Sequence, residues 1–420
     1  MNQVNIKDQE SQPLSAVALI VLLLLPLGSS LCIDMYLPAY SNIAEYYNIP
    51  ESYLNISMGI YLLGLAIGQL IYGPISDRFG RRKPLLIGSF LFVIASIFCC
   101  ISPNYIIFLI FRLLQALGAC AAIVLSRAII VDSYNRNRQV RLLSLLSAIN
   151  IVSPAIAPIL GGYMLLYFSW ISIFISVLIF SIFAFISSYI FIQETYIADN
   201  NSDINLKAKY NKKIINMLSN FKFLLFDKNY ITFALSAALL YGLAFVWVTL
   251  SPAIVINEFK VPQYYFGYFF AMQCLGNTVG SLIAAVYSSE VYEIKLQKLG
   301  FLVLISCSVI VGLLFAVNLL NEILLAIAVV ILYLAAGLTQ PSLIAIACRA
   351  HPKMRGLSAG LLGFMQTSLG AVVAIICSIF YDYSMNSMVW LFLLFSISSY
   401  LIIHLKTIDM NNQNVEQVIN

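Results

Sequence analysis

Residues 73–84 read GPISDRFGRRKP, a short turn and charge cluster between two long apolar segments. One acid is followed by four bases within seven residues, and these positions are Asp77, Arg78, Arg81, Arg82 and Lys83. Basic loops of membrane proteins stay on the cytoplasmic side of the bilayer. The cluster therefore predicts a short cytoplasmic loop, and it fixes the orientation of the chain.

The same stretch carries residues suited to a tight connection between two helices. Gly73 and Pro74 are expected to end the preceding helix, because proline lacks the amide hydrogen that a helix interior requires. Gly80 permits a tight reversal, and Pro84 fits the first turn of the next helix. We therefore expect two helices joined by a reversal at Gly80.

The composition places the chain in a membrane. It has 420 residues, of which 61% are hydrophobic and only 10% are charged, which is too apolar for a water-soluble protein of this length. The net charge of +5 does not indicate a nucleic-acid partner, because the bases lie between apolar segments. The eight cysteines lie within apolar segments without metal-ligand spacing, so we expect no disulfide, metal site or cofactor.

Apolar segments of about 20 residues predict twelve transmembrane helices. They are expected at residues 14–40, 52–74, 84–102, 105–131, 142–166, 170–192, 229–256, 263–288, 299–320, 323–348, 356–381 and 386–405. The uncharged run from Leu142 to Gln193 is too long for one span, so it must turn near residues 167–170.

The distribution of bases supports one orientation, with both termini in the cytoplasm. In that orientation 20 of the 23 bases lie in cytoplasmic segments, and Lys260 is the one base in an outer loop. The remaining two, Arg112 and Arg127, lie inside a predicted span. The asymmetry predicts an integral protein of the lipid bilayer with this topology.

Weak internal similarity predicts two pseudo-symmetric halves of six helices each. Pro38-Ala39 recurs as Pro252-Ala253, and Arg127-Ala128 is echoed by Arg349-Ala350. The halves are expected at residues 1–193 and 229–420, with a cytoplasmic linker at 194–228. Apolar positions 214, 217, 218, 221 and 225 share a helical face, so the end of the linker is expected along the membrane interface.

The spacing Gly73-x-x-x-Asp77-Arg78-x-Gly80-Arg81-Arg82 resembles the loop signature of the major facilitator superfamily. A generic positive-inside turn explains the bases but not the glycines and the acid. The resemblance implies an all-α integral membrane protein with twelve transmembrane helices. It further implies that Asp77, Arg81 and Asp132 form a cytoplasmic charge cluster that steadies the outward-facing state against the second half. A simple boundary cap is the alternative role for Asp132. The gating candidates here are Gly73, Asp77, Arg78, Gly80, Arg81, Arg82 and Asp132.

Asp34 is the one acid deep within an apolar segment. A charged side chain at that depth costs about 2.5–3.5 kcal/mol on insertion scales, so it is a functional candidate by default. A structural carboxylate satisfied by a neighbouring helix is the alternative. We expect Asp34 to carry the coupled proton.

Arg112 is the expected partner of Asp34. Both residues lie about 10 Å below the outer surface at 1.5 Å of rise per residue, so they are expected to meet. Arg112 would then hold Asp34 ionised, with Gln115 on the same helical face. Residues 112–119 resemble the fourth-span motif of the superfamily, with Ala116 where glycine is more usual. A permanent structural ion pair is the alternative.

Residues 153–162 read SPAIAPILGG and resemble the motif typical of the family's antiporters. Pro154 and Pro158 are expected to bend the helix, and Gly161 and Gly162 to let another helix pack closely, as a seal between halves requires. Ordinary helix packing is the alternative, because Ser153 and Ala157 stand where glycines are commonest.

Four further stretches, at residues 34–39, 127–132, 193–195 and 251–252, resemble the bicyclomycin-resistance and chloramphenicol-efflux branch of the drug:proton antiporters. The resemblance implies proton-coupled export of small amphipathic drugs across the bacterial inner membrane, by a monomer. A metabolite symporter or facilitator, or a siderophore or metabolite exporter of the same fold, is the alternative. An enzyme is not expected, because His351 and His404 lie at a membrane boundary without a catalytic pattern.

Overall fold

The computed structural model describes residues 14–195, 219–287, 290–351, 354–379 and 385–419, and within these ranges it is all-helical. Twelve helical segments there are long and apolar enough to cross a membrane, which confirms the predicted fold class. We number them span 1 to span 12, in order Ala16–Tyr47, Tyr53–Phe79, Arg82–Ile101, Tyr105–Ser133, Arg138–Tyr167, Ile171–Phe191, Lys228–Glu258, Gln263–Val286, Lys295–Ala316, Glu322–Arg349, Gly356–Ile379 and Met385–Leu405.

Polar side chains begin several of these helices. Asn104 accepts a hydrogen bond from the amide of Ile107 at 3.0 Å before span 4, and Asp227 accepts one from the amide of Tyr230 at 2.8 Å before span 7. Such caps satisfy amide groups that the first helical turn leaves unpaired. The turn between spans 5 and 6 falls at residues 168–170, as predicted.

Span 1 is not the continuous helix that the hydropathy pattern predicts. It consists of α-helices Ala16–Leu24 and Leu27–Asp34, a short 3-10 turn Leu37–Ala39, and a final α-helix Tyr40–Tyr47. The first break falls at Pro26, whose ring removes one backbone hydrogen bond. The second falls directly after Asp34. A broken span is typical of helices that carry a transport site in the membrane.

Span 2 also differs from the prediction, because it does not end at Gly73-Pro74. The helix continues through Pro74 to Phe79, and Gly80 reverses the chain with a φ of +83°. One lost backbone hydrogen bond does not end this helix, which packs along its length against spans 4 and 11. The hydroxyl of Ser76 donates to the carbonyl of Gly73 at 2.9 Å. Pro84 lies in the first turn of span 3, as predicted.

Contacts between the first six and the last six spans are concentrated in two pairs. Span 2 packs against span 11, and span 5 packs against span 8. The division of the chain at residues 194–228 stays a prediction, because residues 196–218 lie outside the described part. The described end of that segment is a helix at 219–226.

Candidate functional site

A cavity of about 1070 Å³ lies between spans 1, 2, 4 and 5 on one side and spans 7, 8, 10 and 11 on the other. It reaches the end of the molecule that carries Arg81, which we call the Arg81 face; the opposite end is the Glu51 face. Gly73, Gly356 and Gly360 line the cavity near its mouth, and an added Cβ on any of them would meet no atom within 4 Å. The cavity is therefore open at the Arg81 face.

Asp34 lines this cavity at the end of the helix Leu27–Asp34, and it is 5% exposed. Tyr241, Tyr333 and Cys274 of the last six spans lie close enough to interact with it electrostatically. Within the described ranges no hydrogen bond or ion pair engages its carboxyl group. The group is thus held between both halves of the molecule, in contact with the cavity, without a fixed partner.

Arg112 does not pair with Asp34, so that prediction is wrong. Its guanidinium donates to the carbonyl of Cys32 at 3.0 Å and lies between the rings of Tyr36 and Tyr61, with centroids at 4.5 and 4.4 Å. Counting residues along a helix gave the depth of both groups but not the direction in which each side chain points. Residues two apart point about 200° away from each other around a helix, so the backbone at Cys32 faces Arg112 while Asp34 faces the cavity.

Gln115 belongs with Arg112 and not with Asp34. Its Oε1 accepts from Arg112 at 2.9 Å, and its Nε2 donates to the hydroxyl of Ser96 at 3.0 Å. Both Arg112 and Gln115 are fully buried. Cation–π contacts with tyrosine take the place of a carboxylate around this arginine. Two tyrosines in neighbouring spans are too common a sequence pattern to have predicted these contacts with Arg112.

Asp77, Arg81 and Asp132 are brought together at the Arg81 face. Arg81 Nε donates to Asp132 at 2.7 Å, and its Nη1 donates to Asp77 at 2.8 Å and to Ser76 at 2.6 Å. Burial alone would lower the pKa of Arg81, but the hydrogen bonds and charges of Asp132 and then Asp77 raise it above its usual value. The arginine thus ties span 2 to the end of span 4.

Glu194, which sequence reasoning used only for family resemblance, completes this loop. Its carboxylate accepts from the backbone amides of Arg81 at 2.7 Å and Arg82 at 3.2 Å, where the start of span 3 favours negative charge. An added Cβ on Gly80 would lie 2.3 Å from the Glu194 carboxylate. Gly80 is therefore needed both for its positive φ and for this close approach. Arg78 lies over the ring of Phe79 at 4.8 Å.

The antiporter-like stretch of span 5 lies where the Glu51 face is closed. The helix Arg136–Tyr167 runs through Pro154 and Pro158 without interruption. An added Cβ on Gly161 would lie 1.9 Å from the carbonyl oxygen of Met35, and one on Gly162 would lie 2.7 Å from that of Gln263. Only glycine allows spans 1 and 8 to approach span 5 this closely.

Glu51 connects the two halves by hydrogen bonds that the sequence did not suggest. Its carboxylate accepts from Asn257 at 2.5 Å and from Ser41 at 3.0 Å. Beside it, Gln263 donates to the side chain of Asn42 at 3.3 Å. Glu51 and Asn257 are 206 positions apart in the chain, so nothing local marks them as partners. They form a polar lock across the Glu51 face.

The closed Glu51 face is expected to gain stability as the pH on that side falls. Burial raises the pKa of Glu51 above its usual value, although hydrogen bonds from Ser41 and Asn257 oppose the shift. A carboxyl whose pKa is higher in the closed arrangement than in the hydrated open one binds a proton more tightly when closed. Closure is therefore favoured as pH falls through the pKa of Glu51, and this gain is lost as pH rises.

Glu51→Gln should remove this pH dependence while keeping a side chain that can accept from Asn257. A cysteine pair placed at Asn42 and Gln263 is cross-linked between pH 5 and pH 8 with and without Glu51→Gln, and the measurement is the ratio of the two rates at each pH, because the pH dependence of the thiols cancels in that ratio. A ratio that stays constant with pH would assign the effect to another group.

Comparisons with known proteins agree with this architecture. The sequence profile described as Major Facilitator Superfamily matches residues 22–375. The "Uncharacterized MFS-type transporter YdgK" of Bacillus subtilis (strain 168) is 31% identical over 363 residues, which cover 86% of this chain and 87% of that protein. The "Bicyclomycin resistance protein homolog" of Haemophilus influenzae is 24% identical over 348 residues, which cover 81% and 83%. The crystal structure of a D-xylose-proton symporter has a TM-score of 0.70 at 16% identity, covering 92% of this chain and 95% of that one, and so supports the fold alone.

Proposed function

The chain belongs to the Major Facilitator Superfamily, and from this premise we propose that it is a proton-coupled exporter of small amphipathic drugs or related compounds. The observation that carries the proposal is Asp34, a carboxyl group without a fixed partner that faces a cavity between the two halves. The similarity to a bicyclomycin resistance protein homolog supports drugs as the cargo. A bacterial inner membrane is the proposed location, and no cofactor is required because the proton gradient supplies the energy.

The Arg81 face is the cytoplasmic one in this proposal, because the bases concentrate there. The structure then represents an inward-facing state, with the cavity open to the cytoplasm and the Glu51 face closed. Export requires a second state in which the Arg81 face is closed and the cavity opens outward. In that state Asp34 takes a proton from outside, and in the inward-facing state it releases the proton and captures cargo.

The packing of spans 2 and 11 supports a specific way of closing the Arg81 face. The two spans already touch at Leu62 with Gly370 and at Gln69 with Gly363. Leu62 and Gln69 are seven residues apart in span 2, and their partners Gly370 and Gly363 are seven residues apart in the opposite direction in span 11. The two spans therefore pack in an antiparallel register. Continued toward the open mouth, this register brings Gly73 to residues 359–360, where small residues on both sides permit close packing.

The same register brings Asp77 to the start of span 11, at residues 355–356. The positive end of a helix dipole favours a carboxylate there. Arg81 orients Asp77 in the inward-facing state, so the group is ready for that contact. This supports a gating role for the cluster of Asp77, Arg81 and Asp132.

Uphill uptake into everted membrane vesicles tests the proposed function. An imposed gradient, acidic inside the vesicle, should drive chloramphenicol or bicyclomycin into vesicles that contain the protein, above the level in vesicles without it. Collapse of the gradient with an uncoupler should release the accumulated compound. Entry that stops at equal concentrations inside and outside, with or without the gradient, would favour a facilitator.

A reporter fused after Lys406 is expected to be cytoplasmic. Twenty of the 23 bases lie on the cytoplasmic side in this orientation, and inverting the chain would place them outside. The measurement compares the activities of a periplasm-active and a cytoplasm-active reporter fused at the same point. Activity of the periplasmic reporter would reverse the topology and the direction of transport.

Asp77→Asn is expected to slow transport at least tenfold while the protein still inserts and elutes as one species. The substitution removes the charge of Asp77, whose side chain is 36% exposed at the membrane boundary, which affects gating more than folding. The rate of drug uptake in vesicles, normalised to the amount of protein, is the measurement. Glu322→Gln is the matched control, because Glu322 is exposed at the start of span 10 outside the cavity. A wild-type rate in Asp77→Asn would remove Asp77 from the gate.

A further inference from the structure

Arg127 is a further charged group on the cavity wall. It lies in span 4, six residues before the end of that helix at Ser133, which places it about 9 Å inside the Arg81 face. Its side chain is exposed to the cavity. No described residue forms a hydrogen bond or an ion pair with it, although nine other residues of the cavity wall carry a carboxyl or an amide group.

The other charged groups of the cavity are accounted for. Asp77 and Asp132 both accept hydrogen bonds from Arg81, and Asp34 lies deeper, beside Tyr241 and Tyr333. The proton-coupling scheme therefore leaves Arg127 unused. Placing an ionisable side chain inside a span costs free energy, so such a side chain is expected to serve a function and to have a binding partner.

The walls around Arg127 indicate what that partner is. Span 4 contributes Ile123, Val124 and Val131 to the same cavity, and span 5 contributes Leu143 and Ile151. Arg81 is held by Asp77 and Asp132, so Arg127 is the guanidinium of this cavity that stays available, and with these apolar neighbours it fits a molecule that has an apolar body and one oxyanion. A guanidinium binds a carboxylate through two parallel hydrogen bonds, which a lysine cannot reproduce.

We propose that Arg127 binds the carboxylate of an anionic amphipathic substrate as it enters the cavity from the Arg81 face. The inference rests on the proposed export function and deepens it, because it adds organic acids to the cargo. Asp34 and Arg127 then have separate roles in transport. Asp34 exchanges the proton, and Arg127 selects and holds the acidic group of the cargo.

Three naphthalene probes that differ mainly in charge test the proposal: 2-naphthoate, 2-naphthamide and 2-naphthylmethylammonium. Their binding to purified protein in detergent is measured by calorimetry at pH 7.5, without any gradient. Wild-type protein should bind the acid more tightly than the amide. Arg127→Gln should weaken binding of the acid by roughly ten- to a hundredfold, because the bond to a charged group is lost, and should change binding of the amide by less than about twofold.

Two further variants separate this effect from general damage. Arg127→Lys keeps the positive charge but cannot form the two parallel hydrogen bonds of a guanidinium, so it should retain part of the preference for the acid. Arg138→Gln removes a neighbouring base whose side chain lies over the ring of Tyr134 at 4.7 Å and not on the cavity wall, so it should leave all three affinities unchanged.

Several results would overturn the anion site. The first is that wild-type protein binds the acid no more tightly than the amide, or binds neither. The second is that the Arg127→Gln variant still prefers the acid, or that it binds the acid and the amide more weakly by the same factor. Failure of the export proposal has a different signature. Protein that prefers the acid in detergent but never accumulates any compound against its gradient in vesicles keeps the anion site and is not an antiporter.

Discussion

Replacing Asp34 with asparagine is expected to abolish uphill transport while downhill exchange of the same compound continues. Asparagine keeps the size and polarity of the side chain but cannot take up or release a proton in the physiological range. Each charge that moves down 100 mV supplies about 2.3 kcal/mol, and the pH gradient adds to this. Without a proton carrier in the cavity, neither source can be used.

The measurement compares two kinds of vesicle experiment on the same preparations. In the first, an imposed pH gradient drives accumulation, which should fall to the level of empty vesicles in Asp34→Asn. In the second, preloaded unlabelled compound exchanges with labelled compound, which should persist because the cavity is intact. Asp34→Glu keeps a titratable group and should retain part of the accumulation. Full accumulation by Asp34→Asn would place proton coupling elsewhere.

Gly161→Ala is expected to lower the transport rate more than tenfold by preventing closure of the Glu51 face. The added Cβ would lie 1.9 Å from the carbonyl oxygen of Met35, a backbone atom that cannot rotate away. Span 5 would have to withdraw from span 1, which also separates Gly162 from Gln263. The equilibrium should move away from the inward-facing state.

A cysteine pair at Asn42 and Gln263 reports this closure, because the two side chains are 3.3 Å apart in the closed arrangement. A short thiol cross-linker should join them rapidly in the parent protein and at least tenfold more slowly with Gly161→Ala. Gly360→Ala is the control for the opposite face, since its Cβ would enter open space here and would hinder only closure of the Arg81 face, so it should not slow the cross-linking. Equal cross-linking in parent and Gly161→Ala would show that the seal tolerates a side chain.

Much of the fold could be predicted because hydropathy and charge act locally. Apolar runs located the twelve spans, and Gly80 located the reversal between spans 2 and 3. Proline was a poorer guide. Pro26 interrupts span 1, whereas Pro74, Pro154 and Pro158 lie inside continuous helices. Whether a helix survives the lost hydrogen bond depends on the packing around it, which one sequence does not reveal.

The candidate site was predicted in part. Depth along a helix follows from counting, so Asp34 and Arg112 were placed at the right level. Direction around the helix was not predicted, because Arg112 meets the backbone at Cys32 and not the side chain of Asp34, and that error made the two side chains partners. The contacts of Glu51 with Asn257 and of Glu194 with Arg81 join residues 206 and 113 positions apart. Such pairs depend on how whole helices pack against each other, so no local sequence pattern predicts them.

Proton release on substrate binding tests most directly whether Asp34 exchanges a proton for cargo. Purified protein in weakly buffered detergent is mixed with a compound that it transports, and the pH change is recorded with a soluble indicator. Wild-type protein should release protons in proportion to the compound bound, whereas Asp34→Asn should bind the compound and release none. Proton release from Asp34→Asn equal to that of the wild type would contradict the coupling mechanism proposed for this carboxyl group.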